Sequence, residues 1–128
     1  MKKITVVVLG SALALSILFT SASAVPVFKK AFEDSYPDAK KVAEEQKCNL
    51  CHFGKSKKNK NDYGRALAEL LKKDNYKDDR IKGEPDKVKA EFSEAFKKVE
   101  AVKSKGGDTF GERIKAGKAP GTPEEEKN

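Results

Sequence analysis

Cys48-Asn49-Leu50-Cys51-His52 holds both cysteines and the only histidine of the 128-residue chain. Two thiols three positions apart, with an imidazole directly after the second, form C-x-x-C-H, the attachment sequence of c-type haem. The spacing lets both sulfurs reach the vinyl groups on one porphyrin edge as thioethers. The histidine then meets the iron from the same side as its proximal ligand. The motif therefore predicts one covalent haem c on Cys48 and Cys51, with His52 as the metal ligand. Leu50 and Phe53 flank these groups and are expected to line the haem pocket.

Three other readings fit the same residues less well. A structural zinc site takes four Cys or His ligands, and this chain offers three within five positions. A thioredoxin-type pair follows a strand and opens a helix, whose dipole lowers the thiol pKa; here the pair ends a helical pattern. A disulfide across three positions closes a tiny loop and staples nothing distant.

Outward from the motif, the pattern is helical throughout. Upstream, Ala39, Val42, Ala43 and Gln46 share one face of a helix opened by Pro37 that runs straight into Cys48. Before it, Val27, Phe28, Ala31 and Phe32 mark a shorter helix. Downstream, Asn61 or Asp62 is the expected N-cap of a helix carrying Tyr63, Ala66, Leu67, Leu70 and Leu71. Residues 72–84 show no periodicity and read as an exposed loop. Pro85 opens the longest helix, striped by Val88, Phe92, Ala95, Phe96, Val99 and Val102 and stopped by Gly106-Gly107. Asp108 is the expected cap of a last helix with Phe110 and Ile114. With no strand-like alternation, the fold class is all-α.

The ends of the chain have their own signatures. Lys2 and Lys3, the apolar run Ile4 to Phe19 and Ala22-Ser23-Ala24 read as a secretory signal peptide over 1–24, cut after Ala24. The run falls short of the roughly 20 residues of a spanning helix, so a periplasmic or secreted product with no stable membrane insertion is expected. Residues 25–116 form the domain. The Gly-, Pro- and Glu-rich stretch 117–128 reads as a disordered tail. The formal charge is +7 and there is no tryptophan. A chain this small and poor in apolar side chains gains core area from a buried porphyrin.

With the motif near the mature N-terminus, the chain resembles the monohaem cytochromes c. The resemblance rests on Cys48–His52 and on the helical stretches Pro37–Cys48, Asn61–Lys73 and Pro85–Lys105. It implies a small cytochrome c-like fold of three to five helices around a covalently bound haem, the C-terminal helix crossing the first. It also implies one-electron transfer between redox proteins, with no enzymatic turnover. The family presents a methionine as sixth iron ligand. Here Met1 is the only methionine and leaves with the signal, and there is no second histidine.

That absence leaves the sixth position vacant or filled by an unusual donor. Tyr76, Lys77 and Lys82 are the candidates by chain order, each weighed against a plain surface or packing role. Without a thioether, the potential should lie below that of a His/Met cytochrome. A vacant iron defines the alternative function, binding or sensing of carbon monoxide, nitric oxide or peroxide. Weak peroxidase activity is the lesser branch, since no distal histidine is available as acid or base.

Lys55, Lys57, Lys58 and Lys60 follow His52 directly. They are read either as a solvated loop or as a docking rim for an acidic redox partner, because positive charge steers such encounters. No aromatics interleave with them, and an exported chain is no candidate for nucleic-acid binding.

Overall fold

The computed structural model describes residues 24–125. The expected signal peptide lies outside these residues but for Ala24, at which the first helix begins. Six α-helices are present, with no β-strand among the described residues. They are α1 (Ala24–Ser35), α2 (Lys40–Gln46), α3 (Asp62–Leu70), α4 (Asp78–Gly83), α5 (Pro85–Glu100) and α6 (Phe110–Lys115). The chain is all-α, and no helix among the described residues is long and apolar enough to cross a membrane.

The core is an aromatic seam between α1 and α5. Phe28 meets Phe92 and Phe96 edge-on at 5.2 and 5.3 Å, and Phe32 meets Phe96 at 5.7 Å. This geometry sets the positive ring edge against the negative face, adding about 1 kcal/mol per pair to the area buried. Val88, Phe92, Ala95, Phe96 and Val99 are all buried, as their helical spacing requires. At the end of the seam the Tyr36 hydroxyl donates to Glu100 at 2.7 Å. Burial first, then this carboxylate, raises the Tyr36 pKa well above its ordinary value. Thus α1 is the helix laid along α5, while α2, the helix before the motif, packs on α1.

Several boundaries differ from the sequence expectation. Residues 72–84 are not a plain loop but a 3-10 turn (Lys73–Asn75) followed by α4, a sixth helix beyond the three to five expected. Asp78 and Asp79 in its first turn and Arg80 and Lys82 in its last complement the helix dipole, a charge pattern that apolar periodicity cannot register. Helix α5 ends at Glu100, not at the glycine pair. Gly106-Gly107 instead form the tip of a tight reversal, closed by Ser104 N–H donating to Asp108 O and Phe110 N–H to Val102 O. Val102 is consequently 43 % exposed, and Leu70, at the end of α3, is 46 % exposed. The cap of α6 is Thr109 rather than Asp108, in a reciprocal capping box with Glu112.

The tail is the largest correction. Residues 117–125 are not disordered but fold back over α3. Thr122 donates to Asp62 through its N–H (2.7 Å) and its hydroxyl (2.8 Å). Arg113 holds the carbonyls of Ala119 and Gly121, and Glu124 pairs with Arg65 and Lys105. Pro120 is fully buried. Polar composition concealed a strap whose partners sit about 60 positions earlier in the chain.

Candidate functional site

The motif does not continue α2. That helix ends at Gln46, and Lys47 turns the chain with φ 50° and ψ −119°, a left-handed conformation that strains any residue bearing a Cβ. A 3-10 turn, Lys47–Leu50, then carries Cys48. The Cys48 carbonyl accepts from Cys51 N–H at 3.4 Å and His52 N–H at 3.1 Å. One helical turn therefore spans the motif and stacks positions 48, 51 and 52 on a common side.

The thiols are not joined by a disulfide. Desolvation, and then the neighbouring Cys48, pushes the Cys51 thiol up to about 12. Burial thus keeps the Cys51 thiol protonated at neutral pH. Among the described residues no three His, Cys, Asp or Glu side chains gather as a bare metal ion would need.

His52 is held on its other side by the basic loop. Its Nδ1 lies 3.1 Å from the Asn59 carbonyl, and the backbone pairs with Lys60 as an isolated bridge. A carbonyl can only accept, so this contact places a proton on Nδ1, and the neutral ring then has its lone pair on Nε2. This is the tautomer an iron-ligating imidazole requires, with the backbone carbonyl as its outer partner. The donor set thus fits a haem c: two sulfurs and an oriented imidazole on one turn.

Asn61 welds this turn to α3. Its side-chain amide donates to the carbonyls of Asn49 (3.3 Å) and Leu50 (3.2 Å), while its Oδ1 accepts from Gly64 N–H at 2.8 Å as the helix cap. Its own N–H donates to the Cys51 carbonyl at 3.0 Å. Gly64 is required for this approach, because a Cβ there would overlap the Cys51 carbonyl oxygen. A Cβ on Gly121 of the tail would likewise overlap the Asn61 amide. Asp62 accepts from the N–H groups of Tyr63, Lys105 and Thr122 and from the Thr122 hydroxyl. Burial opposes its charge, but these donors outweigh it and hold its carboxyl below the usual range.

Of the residues singled out from the sequence, Leu50 is buried in the core, while Cys48, Cys51, His52 and Phe53 are half-buried. Lys55, Lys57, Lys58 and Lys60 are exposed along one loop beside His52. Tyr76 donates its hydroxyl to Glu91 at 2.9 Å and packs on Phe92 at 4.9 Å. With Lys77, Arg80 and Glu91 it lines an open groove of about 590 Å³ against α5. Lys77 and Lys82 are exposed at the start and end of α4.

Two residues of the site escaped the sequence. Asn61 reads there as a cap alone, although an Asn has amide hydrogens to spare for further carbonyls. Tyr63 reads as one more apolar position on α3.

The chain matches no family model, no curated protein and no solved structure.

Proposed function

We propose that this chain is an exported monohaem c-type cytochrome that passes single electrons between redox proteins. The observation that carries the reading is the Asn59 carbonyl at Nδ1 of His52, which leaves Nε2 as the nitrogen available to a metal on the turn that bears both thiols. Cys48 and Cys51 would hold the haem as thioethers and His52 would ligate its iron. The bound group supplies a one-electron couple, and the protein supplies orientation and surroundings. Leu50 and Phe53 exclude water beside the attachment turn. Lys55, Lys57, Lys58 and Lys60 present positive charge at its edge, suited to brief contact with an acidic partner face.

The decisive experiment is secretion through a competent haem-maturation system. A denaturing gel stained for haem peroxidase activity should colour at the band, and the intact mass should exceed the polypeptide by one haem. Bare polypeptide mass with no colour rejects the proposal.

A second reading, a haem protein with an open iron position, is favoured by the engagement of Tyr76 with Glu91 and by the exposure of Lys77 and Lys82. A reduced spectrum that shifts under carbon monoxide supports that reading, and one indifferent to it supports the carrier. Either way the midpoint potential should lie below that of a His/Met cytochrome.

A further inference from the structure

Tyr63 is wholly buried, at 0 % exposure, and its hydroxyl has no hydrogen-bond partner among the described residues. A buried, unpaired hydroxyl is expensive, about 1–3 kcal/mol, and rarely persists without a reason. The ring is held edge-on by Phe110 at 5.1 Å and Phe32 at 6.3 Å. Its backbone follows Asn61, the residue tied to the attachment turn. Burial raises its pKa, and of the groups acting on it Cys51 comes first, ahead of Tyr36 and Glu100. With its pKa raised, the phenol stays a neutral O–H donor. Phenylalanine would fill the same space at no polar cost, and the hydroxyl therefore calls for an acceptor that the described residues do not supply.

We propose that Tyr63 is a haem-contact residue whose phenol O–H donates to an acceptor oxygen arriving with the haem carried on Cys51. The inference rests on the haem reading above and assigns its buried donor. Two kinds of acceptor oxygen would come with such a group: those of the propionate carboxylates and any oxygen ligand of the iron. Both are acceptors, and both would satisfy the hydroxyl.

The test is Tyr63→Phe in the full, haem-loaded chain, with covalent haem verified by stain and mass. If the hydroxyl is paired with the haem, the variant should lose roughly tenfold in its unfolding equilibrium constant, the scale of one good hydrogen bond. A shifted propionate bending band in the resonance Raman spectrum would identify a propionate. A changed ferric spin state or carbon monoxide band would identify an oxygen at the iron. A variant at least as stable as the wild type, with both spectra unchanged, overturns the proposal while leaving haem attachment intact. Should the variant fail to accumulate, the wild-type Raman spectrum in heavy water decides. The phenol proton exchanges there, and absence of any shift in both bands rejects the contact.

Discussion

The α1–α5 seam and the turn around Cys48–His52 are built on opposite principles. In the seam, Phe28, Phe32, Phe92 and Phe96 bury apolar area against one another, and polar ties such as Tyr36 to Glu100 lie at its margin. Around the motif the ties are carbonyls and amides: Asn61 spans three backbone groups, Asn59 holds His52, and Asp62 collects donors from the reversal and the tail. Apolar burial is non-directional and tolerates small shifts. Hydrogen bonds specify angle and distance. The molecule thus places a tolerant scaffold on one side and a geometrically exacting one where a rigid group would be attached.

The contrast can be broken first in the seam. Phe96→Ala removes a ring in contact with Phe28, Phe32 and Tyr36 and should cost about 3–5 kcal/mol, read by denaturant unfolding. A loss below 1 kcal/mol would mean that the seam is not what holds the fold.

Gly64→Ala attacks the other side, because its methyl must displace the Cys51 carbonyl. It should cost about 3 kcal/mol, the upper end for overpacking, and lower the yield of haem-stained protein, whereas Phe96→Ala at matched stability should spare attachment. Equal losses of attachment would erase the distinction. Asn61→Ala should cost about 2 kcal/mol, from a lost cap and two orphaned carbonyls, checked in the same unfolding series.

Acid should act on the polar region before the seam. Asp62 has a depressed carboxyl, so its contribution is complete above the ordinary aspartate value of about 4 and fades as pH falls through its lower folded value. Amide exchange followed downward from pH 5 should show residues 117–125 opening before α5. Simultaneous opening would place the tail in the same cooperative unit as the seam. The smallest effect is a gain: Lys47→Gly relieves a left-handed residue and should stabilise by about 1 kcal/mol, seen as a higher midpoint of thermal unfolding.

Much of this molecule was legible in the chain. The stripe Val88 to Val99 and the pair Phe28 and Phe32 placed the seam helices, because a 3.6-residue period is a local property. The cap of α3 was narrowed to Asn61 or Asp62 for the same reason, and the fold selects Asn61. The charge-built α4 and the tail were misread, since Asp78, Asp79 and Thr122 carry no apolar signal and act through dipoles and distant partners. The break at Lys47 was invisible too, because nothing local marks a lysine for positive φ.

By itself, then, the sequence determined the helical class and the C-x-x-C-H pattern of Cys48, Cys51 and His52, with Met1 the only methionine and His52 the only histidine. Only the tertiary structure decided which nitrogen of His52 meets the Asn59 carbonyl, that Asn61 and Gly64 clamp the motif, and that the buried Tyr63 hydroxyl has no partner among the described residues. Composition and periodicity record what a residue can do within its own few turns. The hydrogen bonds that aim a side chain come from residues brought close by folding, and their partners cannot be read until the chain has closed on itself.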